Sequence, residues 1–347
     1  MRLIMIHRYL GLLLSIIVCV VSLSGTLLLW KKEFLWLDFV DARQSIDTTA
    51  LAKAITRIET RYPVNDVVFI QLYSEDLSLH KVYLRNRHYA WHNQQGQQLE
   101  VWSGNGRFES WLLDVHHRFL LGNSVGLQIA GFSGLLLMAL LVIGLCIWWS
   151  RRRTLRLGLL PNSMKRGVLM RSHGNIGAVF SWPIFMLGLT GVILVYPSQS
   201  SFVLVNAFGD DAPPVKQLES FDVSNGLPNW QSAITSVYKR FPGAQIRSVS
   251  PSTYKQPMAS QKASLSIGFQ QAGGWHRLGQ SSITYRHNGQ LIIKDELQQP
   301  RLKRVFDFSY PLHTAKLGLF YKCCLTLVGL AMLLLSLLGL MSYAKRV

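Results

Sequence analysis

No acidic residue occurs between 120 and 196 or between 313 and 347, and no cysteine stands outside an apolar run. Cys19, Cys146, Cys323 and Cys324 all lie in such runs, so the polar segments have neither a disulfide nor a thiolate metal cage to build. Neighbouring Cys323 and Cys324 would diverge by about 100° on a helix and make a poor chelate, so all four read as small packing residues. The apolar runs also lack carboxylates, which argues against substrate transport through them. The polar segments show no acid, base or nucleophile constellation. Charge is scarce overall, 16% of residues against 49% hydrophobic, and the apolar residues are gathered into long runs. That is the composition of a membrane protein.

Crossing a hydrocarbon core of about 30 Å takes about 20 apolar helical residues. Four stretches qualify, at about 9 to 30, 125 to 149, 174 to 196 and 318 to 343. A secretory signal competes for the first, with Arg2 and Arg8 as its basic start and "SLSG" as a cleavage site. The run continues past that site to Trp30, longer than a signal core.

Charge sets the expected orientation. The segment 150 to 172 carries Arg151, Arg152, Arg153, Arg156, Lys165, Arg166 and Arg171 and no acid, and the ends add Arg2, Arg8, Lys345 and Arg346. All 18 acidic residues fall in 31 to 119 and 197 to 312. The positive-inside rule places both termini and the basic loop in the cytoplasm and the two long segments outside. The net charge of +18 is then a topology signal, and no nucleic-acid partner is expected.

The chain repeats. "HRYLGLLLSIIVCVVSLSGTLLLW" at 7 to 30 lies without a gap over "HGNIGAVFSWPIFMLGLTGVILVY" at 173 to 196. His7 meets His173, Gly11 meets Gly177, Ser24 and Gly25 meet Thr190 and Gly191, and Trp30 meets Tyr196. "AITRIETRYP" at 54 to 63 lies over "AITSVYKRFP" at 233 to 242, each a short amphipathic helix followed by alternating strand-like segments. "HNG" at 287 to 289 reads as a hairpin turn. "HHRFLLG" at 116 to 122 faces "HTAKLG" at 313 to 318, followed by glycines ten apart, Gly134 with Gly144 and Gly329 with Gly339.

The expected fold is membrane α-helical, with four transmembrane helices arranged as two parallel repeats, each carrying an external α+β domain. The expected boundaries are helix 1 at 1–31, an outer domain at 32–119, helix 2 at 120–150, a basic loop at 151–172, helix 3 at 173–197, an outer domain at 198–312, and helix 4 with its tail at 313–347.

The repeat sorts the histidines. His7 and His173 share one depth near the inner face, and His116 or His117 shares another with His313 near the outer face. Ionisable groups at membrane depth turn to the bundle interior and find partners. Two imidazoles meeting across the repeat axis suit one iron, and a porphyrin is apolar enough to lie between helices. Two such pairs predict two b-type haems and an electron path across the bilayer. Gly11, Gly25, Gly177 and Gly191 would allow a flat ring or a helix to approach. His88 and His92 sit too far apart on a strand to chelate, and His80, His276 and His287 read as solvated loop or strand residues.

With these motifs the sequence resembles the PepSY-associated transmembrane helix family, in "HRYLG" and "SLSG", "SHGNIG" and "GLTG", "HHRFLLG" and "PLHTAKLG". The third helix departs from the family pattern by lacking the aromatic and arginine after its histidine. Family spacing favours His116, whereas the internal repeat favours His117. The resemblance covers nearly the whole chain and implies periplasmic PepSY domains on a multi-pass protein of the bacterial inner membrane. It further implies di-haem reduction of a ferric siderophore or other ferric chelate, with a quinol or a cytoplasmic donor supplying electrons. The competing expectations are a haem-free PepSY interaction or regulatory protein, and a cytochrome that feeds a periplasmic redox partner.

Overall fold

The computed structural model describes residues 2–45, 47–63, 66–72, 76–152, 158–209, 216–224, 226–251, 264–274 and 279–345. His276, Arg153, Arg156 and Arg346, all used in the sequence reading, lie outside the described residues. The chain divides into a helical unit, Met1–Lys31 with Phe108–Phe208 and Ser309–Val347, and a sheet unit, Lys32–Arg107 with Gly209–Phe308.

Among the described residues of the helical unit, four helices are long and apolar enough to cross a membrane: α1 Arg2–Leu29, α5 Gly122–Arg151, α6 Arg166–Val195 and α10 Leu319–Ala344. Shorter helices α4 Phe108–Arg118 and α7 Pro197–Phe208 belong to the same unit, together with the end of α9 Arg301–His313. Helices α1 and α6 each pack on both α5 and α10. Their shared core is Leu14, Val18, Leu140, Ile184, Val328 and Met332. Small residues bring the helices close. A Cβ at Gly329 would fall 2.1 Å from Thr26 Oγ1, and one at Gly134 would fall 3.0 Å from Val192 Cγ2. Trp30 Nε1 donates to Thr326 Oγ1 at 3.0 Å, and Tyr196 donates to the Gln128 carbonyl at 3.3 Å.

The sheet unit corrects an expectation. The two polar segments do not form two separate sheets. Strands β1 Val67–Leu72, β2 Leu79–Leu84, β3 His88–Asn93 and β4 Gln98–Ser103 join β5 Gln217–Ser220, β6 Gln245–Ser250, β7 Ser264–Gln270, β8 Ser281–Arg286 and β9 Gln290–Lys294 in one sheet. The order is β4-β3-β2-β1-β6-β7-β8-β9-β5, every pairing is antiparallel, and the join is Ile70 opposite Val249. An unpaired β1 or β6 would be an open edge, and pairing them removes both. The predicted helices are α3 Leu51–Arg61 and α8 Trp230–Arg240, with α2 Lys31–Asp38 before them. Helices α3 and α8 share one core with both halves of the sheet, through Ile55, Ile58, Ala233, Ile234, Ile70, Val249 and Ile267. Trp230 Nε1 ties them by donating to Glu59 Oε2 at 2.6 Å. The "HNG" turn is a three-residue loop from Arg286 to Gln290, closed by the Gly289 N–H on the Arg286 carbonyl at 3.0 Å, with Gly289 at φ 77°.

A second correction concerns His80, read as solvated. It lies on β2 directly opposite His92 of β3, and both are fully buried, whereas His88 and His287 are exposed. His88 and His92 share one strand, as expected. On the opposite face the Lys81 ammonium is buried among four rings, 4.8 Å from Tyr89, 5.0 Å from Tyr83, 5.3 Å from Trp102 and 5.8 Å from Trp91.

Burial pushes the pKa of His80 down to about 4, and burial, His80 and Arg61 do the same to His92. The unfolded chain, with ordinary histidines near 6.5, takes up protons that the folded sheet refuses. Their contribution is therefore intact above about pH 6.5 and is lost as pH falls towards 4. Chemical unfolding of the purified protein, followed by tryptophan fluorescence, should show stability falling across this window. The slope should be shallower in His80→Leu, and an unchanged slope would refute the assignment.

Candidate functional site

Four of the five predicted histidines come together in the helical unit as two pairs. The His7 and His173 ring centroids are 6.1 Å apart, and those of His116 and His313 are 6.2 Å apart. His7 lies near the start of α1 and His173 near the start of α6, while His116 and His313 lie at the ends of α4 and α9. His117 is exposed beside His116, their rings 5.6 Å apart. It is His116 that faces His313.

Each ring rests against a glycine of a neighbouring helix. An added Cβ would lie 2.8 Å from His116 Cε1 at Gly25, 3.1 Å from His313 Cε1 at Gly191, 3.0 Å from His7 Cε1 at Gly144 and 3.7 Å from His173 Cε1 at Gly339. Gly11 and Gly177, expected with Gly25 and Gly191 to admit a flat ring or a helix, seat no imidazole. Gly11 has nothing within 4 Å of an added Cβ, and Gly177 meets Leu335 Cδ2 at 3.7 Å.

The carbonyl four residues before each of these glycines faces the same ring. His116 Nδ1 lies 3.1 Å from the Val21 carbonyl and His173 Nδ1 lies 2.9 Å from that of Leu335. The Leu187 carbonyl acts on His313 and the Leu140 carbonyl on His7, whose Nδ1 is buried without closing a hydrogen bond. In an α-helix the carbonyl of residue i already accepts from the N–H of residue i+4. Its second lone pair opens outwards when residue i+4 has no side chain to cover it. Glycine at i+4 therefore serves both as space for the ring and as access to an acceptor.

A carbonyl only accepts, so His116 and His173 carry their proton on Nδ1 and leave Nε2 with a free lone pair. Hydroxyls add to this at one pair. Ser24 Oγ lies 3.2 Å from His116 Nδ1, and Thr190 Oγ1 lies 3.1 Å from His313 Nδ1.

Local backbone sets the outer histidine helices. After α4 the chain reverses at Phe119 and Leu120, both left-handed at φ 50° and 62°, and a Cβ at Gly126 would strike the Arg118 carbonyl at 1.9 Å. After α9 the reversal uses Ala315 at φ 53° and Gly318 at φ 113°, and Tyr321 donates to the Leu312 carbonyl at 2.9 Å. Arg118 pairs with Asp114 one turn back, which braces the helix end that carries His116.

The sequence pattern aligned Ser24 and Gly25 with Thr190 and Gly191, and Gly144 with Gly339, and put Gly25 and Gly191 near the histidines without assigning either to a particular ring. The missing signal is spacing. His7 to Gly25 and His173 to Gly191 are both 18 residues, five full helical turns, so each histidine and glycine share one stripe of their helix. Among the described residues no cluster of three or more His, Cys, Asp or Glu side chains is placed to hold a metal, so any metal chemistry here rests on two-imidazole pairs.

No curated protein matches the chain significantly. The profile of the PepSY-associated TM region family matches residues 4–346, a span that takes in the four long helices except the first two residues of α1, both histidine pairs and the sheet unit. The chain is thus a multi-pass membrane protein and belongs to the PepSY-associated TM region family.

Proposed function

We propose that the chain is a b-type di-haem electron carrier of the bacterial inner membrane that reduces a ferric siderophore or another ferric chelate at the periplasmic face. The observation that carries this reading is the pair of ring separations, 6.1 and 6.2 Å. Two imidazoles on opposite sides of one metal need about 2 Å per metal–nitrogen bond and about 1 Å from each nitrogen to its ring centre, about 6 Å in all. The donor chemistry fits as well, since backbone acceptors hold the proton on Nδ1 and turn the Nε2 lone pair to the ligating role. His7 and His173 would hold one haem, His116 and His313 the other.

When bound, haem supplies one-electron chemistry at its iron. The protein orients the four imidazoles and separates the two sites by 18 residues of α1, about 27 Å along the helix. That length is close to the hydrocarbon thickness of about 30 Å and suits one site near each face. A two-repeat architecture is supported by contacts that recur 166 residues later in α6 for α1. Val21, Ser24 and Gly25 have their counterparts in Leu187, Thr190 and Gly191 at the matching histidine. The cluster of Arg and Lys in 150 to 172, with Arg2, Arg8, Lys345 and Arg346 at the ends, supports cytoplasmic termini. Support for a ferric chelate as acceptor comes from the family resemblance and from a mild excess of Lys and Arg in the polar segments, which would attract an anionic chelate.

Purified protein expressed with ample haem should show a b-type reduced-minus-oxidised spectrum and about two haems per chain, judged by the two pairs. His7→Ala or His173→Ala should remove one haem, His116→Ala or His313→Ala the other, and His117→Ala neither. A colourless protein would overturn the reading and favour a haem-free interaction protein.

The glycines give a graded test. Alanine at Gly25, Gly144 or Gly191 has to displace an imidazole and should lower haem retention at that pair, whereas Gly339→Ala meets its histidine at ordinary contact distance and should retain both. Equal loss in all four would show that the contacts do not set ligand placement.

Anaerobic mixing of dithionite-reduced protein with ferric siderophores should reoxidise the haems. Reoxidation by a periplasmic redox protein and by none of the chelates would reassign the acceptor.

A further inference from the structure

The two histidine pairs differ in what their Nδ1 atoms meet. At the His116 and His313 pair, the residue before each glycine carries a hydroxyl, Ser24 or Thr190. At the His7 and His173 pair, the residue before each glycine is Ile143 or Leu338, with no polar atom to offer. The hydroxyl protons are spent within their own helices. Ser24 Oγ donates to the Val20 carbonyl at 2.6 Å, and Thr190 Oγ1 lies 3.0 Å from the Met186 carbonyl and 3.0 Å from that of Leu187. What each hydroxyl presents to its imidazole is therefore a lone pair, and the Nδ1–H donates to it.

We infer that Ser24 and Thr190 are positioning residues that strengthen His116 and His313 as electron donors, and so make the haem site between them the lower in potential of the two. The inference rests on the haem reading above. An acceptor drawing on Nδ1–H raises the basicity of the imidazole and favours the more highly charged ferric iron. Both hydroxyl residues are buried, Ser24 at 3% and Thr190 at 7% exposure, where a hydrogen bond acts more strongly than in water. His116 gains a second acceptor beside the Val21 carbonyl, while His173 Nδ1 meets the Leu335 carbonyl and His7 Nδ1 faces the Leu140 carbonyl without closing a hydrogen bond. The strong reductant then stands at the site proposed for the periplasmic face, where a tightly held ferric ion has to be reduced. An electron moving outwards to it also moves with the membrane potential, inside negative, which offsets the uphill step.

The test is a potentiometric titration of the full-length, haem-loaded protein, following the two haems by their absorption. The wild type should show two unequal midpoints. Ser24→Ala and Thr190→Val should each raise the lower midpoint and leave the upper one in place, and the double variant should raise it further. Ser24→Thr and Thr190→Ser, which keep the oxygen, should restore wild-type values. Should the alanine variant lose a haem, Ser24→Cys, similar in size with a weaker acceptor, is read instead and should also raise the lower midpoint. Unmoved midpoints with both haems retained, or equal movement of both, would overturn the inference and leave the haem reading standing. A wild-type protein without haem would instead overturn the reading beneath it.

Discussion

An imidazole placed among apolar helices has one N–H that needs an acceptor, and leaving it unpaired costs on the order of 1–3 kcal/mol. In this helical unit the nearest acceptors are helix carbonyls, each already engaged along its own helix. The solution is glycine four residues after the acceptor, which bares the second lone pair and vacates the space the ring then fills. Much else depends on that arrangement: the tautomer of His116 and His173, the direction of their Nε2 atoms, and the separation of the paired rings.

The same constraint shapes the packing. A ring seated on a neighbouring helix's glycine requires close helices, and Gly329 against Thr26 and Gly134 against Val192 bring α10 to α1 and α5 to α6. Without a hydrophobic drive between helices in lipid, such close contacts and the hydrogen bonds of Trp30 and Tyr196 have to hold the set together. Packing and ligand placement thus draw on different glycines of the same helices, Gly134 beside Gly144 on α5 and Gly329 beside Gly339 on α10.

Much of this was legible in the sequence because it is local or periodic. The four apolar runs, the helices at α3 and α8, the hairpin at Gly289 and the pairing of His7 with His173 all follow from patterns within short windows or from the ungapped repeat. What was not legible depends on contacts between distant segments. Strand β1 meets β6 only because each offers an open edge, so two expected sheets became one. His80 looks like a solvated strand residue, yet it and its neighbour Lys81 are both buried, on opposite faces of β2, the first on the face that carries α3 and α8 and the second where Leu35 of α2 packs with Trp91 and Trp102.

The choice between His116 and His117 shows why the repeat misled at that point. Helices α1 and α6 carry a histidine at one level and an acceptor glycine at the other, so their 18-residue spacing cannot change without breaking a site, and they align without a gap. The other two histidines sit on separate helices, α4 and α9, joined to α5 and α10 by turns. A turn can absorb a residue as long as the ring still reaches its glycine. From His116 to Gly122 is one residue more than from His313 to Gly318, and the longer turn places two successive non-glycine residues, Phe119 and Leu120, in the left-handed region where the shorter one needs only Ala315 before its glycine. Counting back from the glycine therefore lands on His117, while the ring that meets Gly25 and the Val21 carbonyl is that of His116. What the repeat preserves is the ring's seat on its glycine, and the residue count of the turn is free to differ.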